Sequence, residues 1–314
     1  MTTPPAGGLA AQLASVLRVA ADACSTQDYP PATLYVIATP IGNLADISVR
    51  ALHVLQRADL LACEDTRHTQ ALLRAYGIDK SPNQWLAAHQ HNEVQAGQTV
   101  IERLQQGLRV AYVSDAGTPA ISDPGARLVA AVRQAGFRVM PLPGASSVTA
   151  VLSAAGISTD ALPHHGFVFA GFLPSKGGER DLAVAALAGE PRALVLLEAP
   201  HRIEALAKAL AVLGVRQLTV GRELTKQFEQ IETMNAQDFP AWLAQDPNHS
   251  RGEFVLVVHP APVQATPKAD DRVLRLLLAE LPLKTAVRLA AEITRQPRNA
   301  LYELALSMKA DEDL

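Results

Sequence analysis

Cysteine is scarce in this sequence: Cys24 and Cys63 are the only two among 314 residues. Their separation matches no metal-ligand spacing, and so low a count points to a reducing compartment, the cytoplasm. Long apolar runs are missing as well, so no stretch reads as a membrane span. The segment Leu9 to Cys24 is rich in alanine, but Arg18 and Asp22 interrupt it and no basic leader precedes it, which makes it a poor signal peptide. The glycine spacing of a dinucleotide fold and the lysine loop of a P-loop nucleotidase are both absent, which argues against those two enzyme classes. An excess of positive charge is lacking too. The 28 Lys and Arg against 31 Asp and Glu leave a net charge of −3. Any nucleic-acid surface must therefore be local. His89 and His91 would share a face in an extended segment, but no third ligand stands at a suitable spacing, and no metal is expected.

What is present is a soluble globular profile, 48% hydrophobic and 19% charged, in a chain long enough for two domains or more. The stretch from Val110 to Pro119 organises the rest. Val110 to Val113 reads as a buried strand that stops at Ser114-Asp115-Ala116-Gly117-Thr118-Pro119, a loop of small residues with free backbone groups. Open α/β sheets bind ligands beyond such strand ends. Asp115 offers a carboxylate to a hydroxyl or amine, and Gly117 permits close backbone approach.

The same unit recurs. Leu34–Ala38 leads into Thr39-Pro40-Ile41-Gly42-Asn43-Leu44, and Leu60–Cys63 into Glu64-Asp65-Thr66-Arg67. Arg138–Leu142 leads into Pro143-Gly144-Ala145-Ser146-Ser147. Asp65, Ser146 and Ser147 could each serve as a helix cap or face a ligand; the sequence leaves both open. Repeated strand, small loop and helix units predict a mostly parallel sheet over 33–157. Gly156 to Asp160, with Pro163 behind, reads as a linker. A second α/β set then spans 163–260, with strand ends at Phe169-Ala170-Gly171, Leu197-Glu198-Ala199 and Gly221-Arg222-Glu223-Leu224-Thr225-Lys226. Several of these ends are expected to face the first domain across a cleft. Residues 1–32 are expected to be a mobile extension. Residues 266–314 read as a small unit of three helices, in which Lys284, Arg288, Arg295 and Arg298 gather around one connection.

Taken together, these motifs resemble one family. The loops at Thr39, Glu64, Ser114 and Pro143, with Gly171-Phe172-Leu173-Pro174 and Arg222 to Lys226, occur in this order in the 16S rRNA cytidine 2′-O-methyltransferases of the tetrapyrrole methylase superfamily. The resemblance runs from Thr33 to about Met308. It implies an α/β protein of two domains that holds S-adenosylmethionine in the cleft between them, works as a homodimer, and carries a small helical RNA-binding unit at its C-terminal end. It carries the cofactor role onto Pro40, onto Asp115, Ala116, Gly117, Thr118 and Pro119, and onto Ser146 and Ser147. In the second domain the same role falls on Phe169, Ala170 and Gly171 and on Leu197, Glu198 and Ala199. Lys176, Lys284, Arg288, Arg295 and Arg298 are the candidate RNA-binding residues. Methyl transfer to a ribose hydroxyl needs a base or a cation at the reacting oxygen. Glu64, Asp65, Glu223 and Lys226 are the candidates for these roles, with Arg67 to hold phosphate or orient a carboxylate. Desolvation would lower the pKa of Lys226 and favour it as the base. Two other readings stand beside this one, a tetrapyrrole C-methyltransferase and a non-catalytic RNA-binding protein.

Overall fold

Both halves of the chain build a five-stranded sheet, but the two sheets differ in strand direction. A computed structural model describes residues 15, 17–157, 166–261, 269–294 and 296–312. The first half runs α1 (17–23), β1 (Thr33–Ile37), α2 (Val49–Arg57), β2 (Leu60–Cys63), α3 (Thr66–Ala75), β3 (Trp85–Ala87), α4 (Glu93–Gln105), β4 (Val110–Val113), α5 (Ala126–Gln134), β5 (Arg138–Leu142) and α6 (Ser147–Ala154). Its strands are ordered β3-β2-β4-β1-β5 and every pairing is parallel. A sheet covered on both faces wants strands that are apolar throughout, and β2 and β4 are buried at all four positions. With all strands parallel, the loops that follow them gather on one edge.

The second half runs β6 (Phe167–Phe172), α7 (Gly177–Leu187), β7 (Ala193–Glu198), α8 (Ile203–Leu210), β8 (Gln217–Arg222), β9 (Gln230–Asn235), α9 (Phe239–Gln245) and β10 (Phe254–Val258). Its order is β6-β7-β10-β8-β9. Only β6 and β7 pair in parallel; β10 runs antiparallel between β7 and β8, and β9 antiparallel to β8. The register sets Phe254 opposite both Glu198 and Arg222. The start of β10 therefore shares an edge with the ends of β7 and β8.

The two halves form one compact unit, joined in part by α6. Val148, Val151 and Ala155 leave the first half and pack into one cluster with Val195, Leu224, Val255 and Val257 of the second. Gly221 makes room for this contact: a Cβ there would lie 3.0 Å from Val151 Cγ2 and 3.1 Å from Val255 Cγ1. The helices α10 (Ala269–Glu280), α11 (Leu283–Thr294) and α12 (Arg298–Glu312) form a second unit around Leu274, Val287, Ala290, Leu301 and Ala305.

Two expectations about boundaries change. Ala20, Cys24 and Tyr29 are buried in the core on one face of the first sheet, and Leu17 packs against it. The folded part thus begins well before residue 33, because the apolar side of α1 has a sheet to cover; residues 1–14 and 16 lie outside the described residues. The linker expected over 156–163 starts with Ile157 packed on the inter-half cluster, and residues 158–165 lie outside the described residues. The expected extended pair at His89 and His91 is instead a turn. Asn92 Oδ1 accepts from the His89 backbone N–H at 2.8 Å, and the two rings meet edge to face.

Gly221→Val should overpack the contact between α6 and the second sheet and cost about 1–3 kcal/mol, read as a lower midpoint in urea with an unchanged slope.

Candidate functional site

A cleft of about 340 Å³ opens between the two halves. On the first half it is walled by Ile41 of the β1 loop, Ala116 to Thr118 and Ile121 to Asp123 of the β4 loop, and Ser146 to Val148 at the start of α6. The second half supplies Phe169 and Phe172 of β6, Leu197 to Pro200 at the end of β7, Leu224 after β8, and Glu253 to Val255 at the start of β10. Nine residues singled out from the sequence are among them: Ala116, Gly117, Thr118, Ser146, Ser147, Phe169, Leu197, Glu198 and Ala199.

The other five cofactor candidates do not line the cleft, each for a local reason. In the β1 loop Ile41 takes the place expected of Pro40. The carboxylate of Asp115 turns sideways and accepts from the Asp65 backbone N–H at 3.1 Å, tying the β4 loop to the β2 loop. Pro119 is buried behind Thr118. Ala170 and Gly171 form a bulge in β6, where the register shifts and Gly171 has φ +62°, so Phe169 and Phe172 reach the wall instead.

Several backbone features fix the first wall. Gly117 has φ +78° and exchanges two hydrogen bonds with Thr39, at 2.9 and 3.1 Å, which locks the β4 loop to the β1 loop. Thr118 Oγ1 donates to Ala145 O at 3.2 Å and adds the β5 loop. Ser146 is the N-cap of α6 without a side-chain capping bond, so its hydroxyl remains available to the cleft. The buried Glu93 was not singled out by sequence reasoning. Its Oε1 accepts from the backbone N–H groups of Gly125, Arg127 and Leu128 at 2.9, 2.8 and 3.3 Å, holding the start of α5 just behind Asp123.

The site is acidic. The Asp123 carboxyl is pushed up by burial, restrained by the Ser114 hydroxyl and raised further by Asp115. Glu64 is half-buried nearby, and burial together with the charges of Asp115 and Asp123 raises its pKa. On the other wall the Glu198 side chain is fully buried. Its Oε1 accepts from the Ala199 N–H at 2.9 Å and lies 3.1 Å from Arg202 Nε, while Oε2 is buried with no hydrogen-bond partner among the described residues. A buried carboxylate oxygen without a donor is costly.

The candidates for the reacting hydroxyl divide into two groups. Asp65 is the N-cap of α3: its Oδ1 accepts from the Arg67 N–H at 2.8 Å, and Arg67 Nη2 lies 3.0 Å from Oδ2. The hydrogen bond from Arg67 holds the Asp65 carboxyl down to about 2. This exposed pair has settled into the capping role, with the guanidinium still open to solvent. Lys226 reaches Glu223 Oε1 at 2.8 Å and Glu253 Oε2 at 3.0 Å, and its stem packs on Gly42 of the opposite half. Burial alone would lower its pKa, but the two carboxylates outweigh it and the pKa is raised. The expectation that desolvation would lower the pKa of Lys226 is corrected accordingly: the neighbouring carboxylates raise it. Lys226 and the Glu253 N–H outweigh desolvation at Glu223 and lower its pKa, which weakens it as a proton acceptor. The segment is held in a strained form, with Glu223 at φ +49° and Thr225 at φ +66°.

The sequence and the fold match known proteins over most of the chain. Residues 33–240 match the family model Tetrapyrrole (Corrin/Porphyrin) Methylases, and residues 264–309 match the RsmI C-terminal HTH domain. The chain is 47% identical over 280 residues to "Ribosomal RNA small subunit methyltransferase I" of Escherichia coli O157:H7, covering 88% of this chain and 95% of that one. It is 48% identical over 283 residues to the protein of the same name from Pseudomonas aeruginosa, covering 87% and 96%. The chain belongs to the ribosomal RNA small subunit methyltransferase I family. A solved cobalt precorrin-4 methyltransferase shares the fold at a TM-score of 0.53 and 19% identity, over 72% of this chain and 94% of that one. As a member of that family the chain is a methyltransferase, and its fold is that of the tetrapyrrole methylases with an added helical unit.

The RNA candidates fall in two places. Lys176 precedes α7 on the surface and pairs with Glu179 at 3.3 Å. In the helical unit Lys284 and Arg298 are exposed and Arg288 pairs with Glu292 at 3.2 Å, whereas Arg295 lies outside the described residues. No group of three or more possible metal ligands occurs among the described residues.

Lys226→Met should leave Glu223 facing Glu253 without their shared cation and lower stability at neutral pH by about 1–3 kcal/mol. Glu223 has a depressed pKa in the folded state, so this contribution is present above the ordinary carboxylate range and is lost as pH falls through the folded value. Urea denaturation of both proteins from neutral pH downward should show the difference shrinking over that window.

Proposed function

We propose that the cleft binds S-adenosylmethionine and that the protein methylates the 2′-oxygen of a cytidine ribose in 16S rRNA of the small ribosomal subunit. The composition of the cleft carries this reading. A ligand bearing both a sulfonium and an ammonium is cationic, and the cleft offers Asp123 and Glu253, with Glu198 already paired to Arg202 behind the wall and no cation among the described lining residues. The serine hydroxyls and small neutral side chains of the first wall suit a nucleoside. The curated relatives, named for rRNA of the small subunit, supply the substrate. S-adenosylmethionine would be held by Ala116 to Thr118, Ser146, Ser147, Phe169 and Leu197 to Ala199, and when bound it supplies an electrophilic methyl group.

The remaining work falls to side chains of this protein. Fixing the ribose oxygen in line with the methyl group can contribute roughly 7–11 kcal/mol through effective molarity. Glu64 takes the role of base. Burial and the charges of Asp115 and Asp123 raise its pKa, which makes it a better proton acceptor than an ordinary carboxylate. Lys226, fixed as a cation, supplies positive potential beside the cleft for a phosphate or a developing oxyanion. Arg67, anchored by Asp65 and exposed, serves as a phosphate contact, as do Lys176, Lys284, Arg288, Arg295 and Arg298. The reading places the enzyme in the cytoplasm with its RNA and, as the family resemblance implies, as a homodimer.

Transfer of a labelled methyl group from S-adenosylmethionine to immature small ribosomal subunits tests the function, with a porphyrinogen as the control acceptor. Label appearing in the porphyrinogen and not in RNA would reject it. Glu64→Gln should slow single-turnover methylation by roughly 10²–10⁴-fold, the usual range for a general base, with cofactor affinity unchanged. The wild-type rate should climb with pH through an inflection above the ordinary carboxylate range, because only the ionised form accepts a proton. A parental rate in Glu64→Gln moves the base elsewhere.

Replacing Lys284, Arg288, Arg295 and Arg298 together should spare cofactor affinity. It should also flatten the dependence of RNA affinity on salt, by roughly 0.7 log–log units for each single-strand phosphate that is no longer neutralised. A slope equal to that of the wild type would reduce the patch to a solvated helical face.

A further inference from the structure

The strained segment after β8 has a second side. Leu224 faces the cleft between the halves, whereas Gln227, Phe228 and Gln230 border a separate cavity of about 470 Å³, completed by Arg222, Asp246 and Asn248. No step proposed for methyl transfer uses this second cavity.

Its chemistry is specific. Phe228 is 68% exposed beside it. A lone exposed aromatic means little by itself, but the backbone carrying this one is fixed. Arg222 Nη1 donates to Phe228 O at 3.1 Å and to Gln230 Oε1 at 2.8 Å, and Arg222 Nε donates to Arg251 O at 2.7 Å. The Thr225 N–H donates to Glu229 Oε2 at 2.6 Å and the Glu229 N–H to Lys226 O at 3.1 Å. The result is an exposed aromatic ring on a fixed backbone, next to side-chain amides, which both donate and accept. The guanidinium of Arg222 is buried and committed to these carbonyls, and Asp246 and Glu229 add negative charge. Such a site repels phosphate and suits a flat, neutral ring with a mixed donor and acceptor edge. Single-stranded RNA is recognised through such rings, splayed out, stacked on an aromatic and bonded along the base edge.

We infer that the cavity bordered by Phe228, Gln227, Gln230 and Asn248 is a nucleobase subsite. It holds the base of a nucleotide adjoining the one methylated, so that the segment 222–230 presents the cofactor cleft on one side and reads the RNA on the other. This rests on the RNA substrate proposed above. Phe228 and Asn248 are then substrate-positioning residues whose effect falls on RNA binding and leaves the chemical step alone.

The test is steady-state methylation of immature small ribosomal subunits by the full-length protein. Phe228→Ala should raise the KM for the particle by roughly 5- to 100-fold, the range expected when one base stack is removed. The turnover number should stay within about twofold and affinity for S-adenosylmethionine should not change. Phe228→Trp should restore the KM, because it restores a stacking face. Asn248→Ala, at an exposed position, should raise the KM in the same direction. A parental KM in Phe228→Ala overturns the subsite. So does a change confined to the oligomeric state in sedimentation, which would make Phe228 a contact between copies of the chain. A wild-type protein that binds S-adenosylmethionine but methylates no RNA would instead sink the function from which the subsite follows.

Discussion

The packing of α6 on the second sheet is the contact on which the site depends. The helix begins with Ser146 and Ser147 on the cleft wall and continues into Val148, Val151 and Ala155, which pack with Val195, Val255 and Val257. One helix therefore both lines the cleft and fastens its two walls together. Close packing is unforgiving of added volume, and Gly221 is the position at which this packing leaves no room for a side chain. The distance between the Ser146 loop and the Glu198 loop is set by apolar volume; the polar groups in the cleft then meet whatever enters at fixed positions.

A second tie is ionic. Lys226 joins Glu223 and Glu253 of its own half and rests on Gly42 of the other. Two residues in left-handed conformations persist in this segment because hydrogen bonds from both directions hold them. The same bonds explain why the pKa of Lys226 is raised: burial acts to lower it, but two carboxylates act more strongly. In the first half the balance is reversed. Burial and the charges of Asp115 and Asp123 act on Glu64 in the same direction, so its proton is held more tightly than usual. Two glutamates at strand ends, Glu64 and Glu223, thus carry opposite shifts, and the difference lies in their neighbours in space.

That difference marks the limit of what the sequence discloses. Strands such as Leu60–Cys63, Arg138–Leu142 and Phe254–Val258 are legible residue for residue, because short apolar runs bounded by polar turns carry the signal locally. The loops at Ala116 to Thr118, Ser146 and Glu198 are legible for the same reason, being small-residue breaks after such runs. The contribution of Glu253 to Val255 was not legible. It depends on β10 running antiparallel between β7 and β8, which no local pattern reveals. The bulge that turns Ala170 and Gly171 away from the wall, and the carboxylate of Asp115 spent on the Asp65 backbone, are likewise settled by partners distant in sequence or in an adjoining strand. Asp65 could be read as a cap or as a functional carboxylate, and only the position of Arg67 decided it.

On the proposed function, an acidic protein works on RNA and has to separate its electrostatic tasks. The cleft concentrates carboxylates, which favours a cationic ligand and disfavours the phosphate chain that must pass nearby. Lys226 pairs with Glu253 of the cleft wall and with Glu223, so its charge is neutralised in part. The second cavity avoids the conflict differently, through an aromatic face and amides that carry no net charge, with its one guanidinium already bound to carbonyls. On the proposed function, long-range attraction to RNA falls to exposed cations such as Arg67, Lys284 and Arg298. A chain with a net charge of −3 then meets a cation, a base and a phosphate backbone with different groups, each tuned by its immediate neighbours.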